Sequence, residues 1–280
     1  MKKLLVLDFN NLLFRYLDIH KDLYYRGKRT GGLFGFLQQL CCQVNLHEPD
    51  AVVCVTDKKP YLRNKFYKDY KKKEHHDFDQ AHYDYVHESI QYCKTLLEML
   101  NIPLWQEEGY EADDLMAILV YKYKYRCKEI ILVSNDEDLY SLLHHNVSIQ
   151  RNKELFTYDM FFKKYGIDPS AWVEILAMKG THNNVPQLYR GLGLQTALKF
   201  IKNPEKMKDI IMKYEEQYTC NLILTLLPVN FNVDFKIPDY RTLFSFLPIE
   251  RMLMNEFGIQ ITKAMTDAFF TLNQSAMKGD

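Results

Sequence analysis

Three short apolar runs in this chain each lead to an acid. Leu4-Leu5-Val6-Leu7 meets Asp8, Ala51-Val52-Val53-Cys54-Val55 reaches Asp57 after one threonine, and Ile130-Ile131-Leu132-Val133 reaches Asp136 and Asp138 after Ser134-Asn135. A fourth group, Glu111-Ala112-Asp113-Asp114, opens a helical pattern, where free backbone N–H groups and the helix dipole tolerate negative charge. Converging carboxylates repel one another unless hard cations sit between them, and Mg²⁺ or Mn²⁺ prefers an all-oxygen octahedral shell. The set therefore reads as a divalent-metal site. Two such ions about 4 Å apart activate a water and neutralise charge in an in-line displacement at a phosphodiester. A lone Asp at a strand end more often caps a helix or turns the chain; recurrence at four positions favours the metal.

Such a site requires the runs to be neighbours with a common direction. Each run is continuous rather than alternating, the pattern of strands buried on both faces. Helical patterns separate them, at Gly32 to Asn45, at Tyr83 to Leu100 with apolar residues at Val86, Ile90, Cys93, Leu97 and Leu100, and at Glu111 to Lys124. The alternation predicts an α/β fold, a parallel sheet covered by helices, whose strands deliver their carboxyl ends to one edge. From about Tyr158 helices follow one another: Asp159 to Tyr165, Pro169 to Lys179, Thr196 to Lys202 and Pro204 to Glu216, with weaker candidates after Pro228 and Pro248. A core over 1–157 and a smaller helical part over 158–280 are expected, with no linker between them.

Composition excludes several other classes. The 47% hydrophobic and 14% aromatic content, with 11 Gly and 9 Pro in 280 residues, rules out a disordered or low-complexity chain. Lys plus Arg equals Asp plus Glu at 36 each, so global charge identifies no partner. The six cysteines contain no C-x-x-C pair, which argues against a zinc site and a secreted disulfide frame and points to a reducing cytoplasm. Met1-Lys2-Lys3 before Leu4 to Leu7 begins like a signal peptide, but Asp8 ends the apolar run short of the ~7–15 residues needed. No stretch approaches the ~20 apolar residues of a membrane span, so no membrane partner is expected.

Beyond Asp57 lies a basic, aromatic stretch. Lys58, Lys59, Arg63, Lys65, Lys68, Lys71, Lys72 and Lys73 face a single acid, Asp69, with Tyr61, Phe66, Tyr67 and Tyr70 interleaved. Phosphates attract the cations and bases stack on the rings, which suits single-stranded or frayed nucleic acid starting beside the metals. Further on, Asn183-Asn184-Val185-Pro186, Gly191-Leu192-Gly193 and Gln195-Thr196-Ala197-Leu198 read as a helix, a glycine hairpin and a second helix. Backbone amides at such a hairpin hold a phosphate without reading sequence.

Taken in order, these pieces resemble the flap endonuclease and 5′-3′ exonuclease family, known from phage 5′-nucleases and the nuclease domain of bacterial repair polymerases. The matching segments are Leu5 to Arg15, Asp57, Arg63 with Tyr70-Lys71, Glu111 to Asp114, Val133 to Leu139, Tyr165-Gly166-Ile167, and Leu176 to Gly180 leading to Gly191-Leu192-Gly193. The resemblance covers roughly residues 3–202. It implies a PIN-like sheet, a helical arch over about 58–98 and a helix-hairpin-helix module over about 169–202 that grips duplex DNA. Metal ligands are then expected at Asp8, Asp57, Glu111, Asp113, Asp114, Asp136 and Asp138, holding Mg²⁺ with Mn²⁺ as a substitute. Arg63, Tyr70 and Lys71 are expected at the scissile phosphate and terminal nucleotide. Lys65, Lys68, Lys72 and Lys73, with Gly191, Gly193, Gln195 and Thr196, are expected to bind DNA, with a K⁺ ion held by carbonyls at the hairpin.

One departure stands out. Where the family has G-D-x-x-D-N-I-P, this chain has Gly180-Thr181-His182-Asn183-Asn184-Val185-Pro186, one residue shorter and without a carboxylate. Glu74 also replaces a basic arch residue, with Lys73 adjacent. The resemblance implies a monomeric 5′-nuclease for flap, branched or nicked DNA and RNA–DNA primers, in the cytoplasm, or the host cytoplasm for a stand-alone phage enzyme. Two alternatives stay open at this point: a PIN-type ribonuclease, which needs neither arch nor hairpin, and a non-catalytic DNA-junction binder.

Overall fold

The computed structural model describes residues 2–72, 79–237 and 243–277, with side chains through residue 274. The chain opens with β1 (Lys3–Asp8) and α1 (Phe9–Ile19), a short hairpin of β2 (Tyr24–Tyr25) and β3 (Lys28–Arg29), then α2 (Gly31–His47) and β4 (Ala51–Val55). It continues through α3 (Gln80–Met99), β5 (Leu104–Trp105), α4 (Ala112–Tyr123), β6 (Glu129–Val133), β7 (Val147–Arg151) and β8 (Glu154–Phe156). The remainder is helical: α5 (Tyr158–Tyr165), α6 (Trp172–Lys179), α7 (Leu194–Ile201), α8 (Pro204–Lys213), α9 (Glu215–Thr225), α10 (Phe246–Arg251) and α11 (Lys263–Met277).

Six strands form the sheet in the order β5-β4-β1-β6-β7-β8. All neighbours are parallel except the edge pair β7 and β8. The runs that read as doubly buried strands are so because successive side chains point to opposite faces. Leu4, Val6, Val53, Ile130 and Leu132 enter one core with α4, α6 and α7. Leu5, Leu7, Cys54, Ile131 and Val133 enter a second core with α1, α2 and α3.

On the second face α1 and α2 approach closely at Gly35, where an added Cβ would lie 2.3 Å from Tyr16 Cβ. The C-terminal helices return to the same face: Ile249, Leu253, Met265, Ala268 and Phe269 are buried with Leu33, Phe36 and Leu40 of α2. Asn45 Nδ2 donates to the Ala264 carbonyl at 2.8 Å, tying α2 to α11.

Most expected helical patterns are present with shifted ends, but residues 183–186, read as helical, lie in a turn closed by the Thr181–Val185 bridge. The pattern over 204–216 divides at Tyr214 into α8 and α9, and residues 229–237 form no helix, with the Phe235 ring stacked 4.7 Å from Trp105. Within the span expected to form an arch, residues 58–72 make turns and a 3₁₀ segment at Leu62–Lys65, and α3 buries Tyr85, Ser89, Cys93, Leu96 and Leu97. Lys73 and Glu74 lie outside the described residues.

Candidate active site

Parallel pairing brings the ends of β1, β4 and β6 to one edge, and Asp8, Asp57, Asp113 and Asp136 line a single cleft there of about 810 Å³. Three of these acids also cap the elements beside them. Asp8 Oδ1 accepts from the Asn11 N–H at 2.9 Å and caps α1; Asp57 Oδ1, from another element, accepts from the Ala112 N–H at 2.8 Å, the first of α4. Asp136 Oδ1 accepts from the Asp138 N–H at 2.8 Å. Capping consumes one oxygen of each carboxylate. The other oxygen of Asp8 meets Ser134 Oγ at 3.4 Å and that of Asp57 accepts from the Tyr61 hydroxyl at 3.0 Å. Capping and cation binding are thus compatible uses of one side chain, not rivals.

The acids crowd one another. Burial, with Asp57 and Asp136 nearby, pushes the Asp8 carboxyl up to about 7 against the Asn11 N–H and Lys71, which act the other way. Burial followed by Asp136 likewise raises Asp138 to about 7. Asp113 is held well above the usual carboxylate range by burial and then by Asp136 and Asp8. Every candidate donor here is a carboxylate oxygen, which suits a hard divalent cation. Among the described residues, no three acid, histidine or cysteine side chains close around a common point, so an ion here would draw part of its shell from water or substrate.

Glu111 and Asp114 are placed differently from each other and from Asp113. They form a reciprocal capping box at the start of α4. Asp114 is wholly buried and outside the cleft: its oxygens accept from Arg63 at 2.6 and 2.8 Å, from the Glu111 N–H at 3.1 Å and from the Val229 N–H at 2.8 Å. Adjacent residues on a helix project about 100° apart, so of Asp113 and Asp114 one faces the cleft and the other the interior. Glu111 Oε2 accepts from Arg63 at 2.6 Å and from the Tyr70 hydroxyl at 3.0 Å.

Arg63 was expected at a phosphate but is 2% exposed. Besides both acids, it donates to the carbonyls of Leu224 and Leu226 at 2.8 Å. Burial disfavours its charge, and Asp114 and Glu111 outweigh this and hold its pKa above the usual value. Tyr70, also expected at the substrate, is 5% exposed and packs with Val185 and Leu224. Both residues therefore support Glu111 from behind. Lys71 does reach the cleft: burial opposes its charge, but Glu111, Asp57 and Asp113 hold its pKa above normal.

Lys65, Lys68 and Lys72 are exposed, and Lys72 lines the cleft while pairing with Asp69 at 3.1 Å. Around 180–193 the chain joins α6 to α7. Gly191 takes φ 89°, a conformation L side chains rarely adopt, and the Gly193 carbonyl accepts from the Thr196 and Ala197 N–H groups in the first turn of α7. Gly191, Gly193 and Gln195 are exposed and Thr196 is half-buried. Gln195 borders a second cavity of about 430 Å³ with Lys164, Lys199, Lys202 and Glu137, the last lying between Asp136 and Asp138 in the chain. The cleft also holds Arg15 and His182 and the amides of Asn10, Asn11, Asn135 and Asn152, none of which was expected as a site residue. Asn10-Asn11, one residue beyond the first strand's acid, was the available signal.

Comparison with known proteins agrees with this geometry. Residues 3–166 match the family model described as 5′-3′ exonuclease, N-terminal resolvase-like domain. A 5′-3′ exonuclease of Aquifex aeolicus is 30% identical over 221 residues, covering 77% of this chain and 74% of the relative. The thermostable DNA polymerase I of Thermus thermophilus is 27% identical over 288 residues, which is 92% of this chain but 33% of the polymerase. Among solved structures, a bacteriophage T5 flap endonuclease in a pseudo-enzyme–product complex with DNA and metal ions superposes with a TM-score of 0.70 at 17% identity, covering 99% of this chain and 100% of the other. Flap endonuclease-1 from Methanococcus jannaschii gives 0.64 at 19% identity over 99% and 93% of the two chains. At these identities the superpositions show the fold alone.

Proposed function

We infer that this chain, which belongs to the 5′-3′ exonuclease family, is a structure-specific 5′-nuclease that hydrolyses phosphodiesters of 5′-ended or branched DNA in replication or repair. The observation that carries this reading is the gathering of Asp8, Asp57, Asp113 and Asp136 on one cleft at the carboxyl edge of the sheet. These acids, with Glu111 and Asp138, are assigned to Mg²⁺, for which Mn²⁺ substitutes. Asp114 is left out of the ligand set because all its acceptor capacity is used inside the protein. A bound divalent ion supplies Lewis-acid polarisation of the phosphodiester and an activated water.

The chain's own groups do the remaining work. Lys71 directs an ammonium at the reacting phosphate, and Lys65, Lys68 and Lys72 draw the DNA backbone toward the cleft. Asn10, Asn11, Asn135 and Asn152 offer amide donors and acceptors to the bound strand. Arg63 and Tyr70 hold the Glu111 carboxylate in place through hydrogen bonds to its Oε2. The turn at Gly191 and Gly193, with Gln195 and Thr196, holds duplex phosphates through backbone amides, and its carbonyls take K⁺. RNA–DNA hybrids are included in the substrate range, and the enzyme acts as a monomer in the cytoplasm. No helix among the described residues is long and apolar enough to cross a membrane. A PIN-type ribonuclease and a non-catalytic junction binder are not favoured, since the relatives carry 5′-3′ exonuclease and DNA polymerase I names.

The test is cleavage of a 5′-flap, a blunt duplex and single-stranded RNA across a Mg²⁺ titration. Cleavage of the flap, with a half-saturating Mg²⁺ in the millimolar range because residues 181–184 carry no carboxylate, is the expected result. Preference for RNA would favour the ribonuclease, and tight flap binding without cleavage in either Mg²⁺ or Mn²⁺ would favour the binder.

A further inference from the structure

The ammonium of Lys71 sits among the carboxylates themselves. It pairs with Glu111 Oε1, stands 4.0 Å from Asp57 Oδ2 and lies 5.3 Å from the centre of the Tyr61 ring. Backbone geometry aims it there. Lys71 has a left-handed φ of 49°, and its N–H donates to the Asn183 carbonyl at 3.1 Å. On either side, Asn184 Nδ2 donates to the carbonyls of Asp69 at 2.9 Å and Lys72 at 3.0 Å. Asn184 is itself left-handed at φ 63°. The turn over residues 181–185 therefore clasps residues 69–72 and directs the lysine into the cleft.

A divalent ion and an ammonium that share Asp57 and Glu111 repel each other, so each weakens the binding of the other. A substrate phosphodiester offers the ammonium another anionic partner in the same cleft, with a charge-assisted hydrogen bond in place of the carboxylate pair. We propose that Lys71 is a resident cation of the cleft, handed from Glu111 and Asp57 to the substrate phosphate as the divalent ion enters, so that metal and DNA strengthen each other's binding. This rests on the metal assignment made above. The 181–185 turn is then a positioning element for the exchange rather than a ligand-bearing one.

Mn²⁺ binding to the full chain, followed by electron paramagnetic resonance, tests the exchange with and without a non-hydrolysable 5′-flap. Lys71→Met keeps the length of the side chain and deletes its charge; Asn184→Gly keeps a left-handed residue and deletes the clasp. Without DNA, Lys71→Met binds Mn²⁺ about tenfold more tightly than the native protein, inside the ~5–150-fold span of typical coupling, and Asn184→Gly tightens it by less. The flap tightens Mn²⁺ binding in the native protein, and that gain shrinks in Lys71→Met to what direct attraction between ion and phosphate supplies. Turnover nevertheless falls in both variants. Unchanged or weaker Mn²⁺ binding by Lys71→Met would overturn the handover and leave an ordinary phosphate contact. Absence of Mn²⁺ binding in every protein would overturn the metal assignment and the handover with it.

Discussion

Asp8 serves the fold with one oxygen and the cleft with the other, and this division makes a clean substitution available. Asn is as good a helix cap as Asp. Asp8→Asn therefore keeps the bond from the Asn11 N–H and removes only the anion. Urea unfolding of the metal-free variant should show stability equal to or above the native protein, while flap cleavage falls by more than about 100-fold, beyond the range that outer-sphere substitutions cost. The raised carboxyls give the metal-free protein a specific pH response. The folded state retains protons at Asp8 and Asp138 up to about 7, where the unfolded chain has already lost them near 4, so stability declines as pH rises between these values. Thermal melts in a chelator should fall from pH 5 to pH 7.5, and added Mg²⁺ should raise the melting temperature more at pH 8 than at pH 5, where it must displace protons. At this scale the sequence presented capping and cation binding as competitors because both select Asp at a strand end. In three dimensions capping engages one oxygen of Asp8 and leaves the other near Ser134 at the cleft, which no sequence pattern displays.

At the start of α4 the loop over 58–72, the capping box and the segment 224–229 meet on one guanidinium. Arg63 neutralises Glu111 and Asp114 and satisfies two carbonyls at the end of α9. Removing it strands the buried Asp114 and leaves Glu111 to Lys71 alone, so Arg63→Met should lower stability by about 3–5 kcal/mol in urea titrations. A loss below 1 kcal/mol would mean that water or another cation reaches the acids. Close packing makes a second, opposite kind of demand at Gly35. Gly35→Ala would overpack α1 against α2 and should cost about 1–3 kcal/mol even though alanine favours helices. The strands were legible because parallel strands buried on both faces must be continuously apolar, and Leu4 to Leu7 and Ile130 to Val133 are. The direction of Arg63 was not legible. A basic residue among lysines and tyrosines reads as a nucleic-acid contact, and only the arrival of Glu111 and Asp114 from about fifty residues away turns it inward. Likewise α1 was missed because Asn10-Asn11 breaks the apolar pattern at its first turn, where both asparagines border the cleft.

The whole molecule closes on itself: the first strand lies in the middle of the sheet and the last helix covers α2 on its outer side. This return was not expected from sequence. Residues after Asn203 carry no motif, and the apolar residues of α10 and α11 become informative only when α2 is known to present an uncovered face. Phe269 reports on the arrangement. It is 1% exposed, shares its core with Phe36 and Leu40 of α2 and with Leu5 and Leu7 of β1, and packs its ring 5.5 Å from Phe246. If the C-terminal helices were a separate unit, Phe269→Ala would loosen them alone and leave the sheet intact. A shared core instead transmits the loss to the entire fold, at the cost of about 3–5 kcal/mol that deleting a buried phenyl group carries. Far-ultraviolet circular dichroism and tryptophan fluorescence sample opposite ends of this arrangement, since Trp105 and Trp172 both lie in the core on the other face of the sheet. The two signals should therefore move together to lower denaturant in Phe269→Ala, with the native slope. Flap cleavage per folded molecule should be unchanged, because the carboxylate cleft lies at the strand ends and Phe269 does not line it. An early dichroism transition with fluorescence left behind would assign the C-terminal helices a stability of their own.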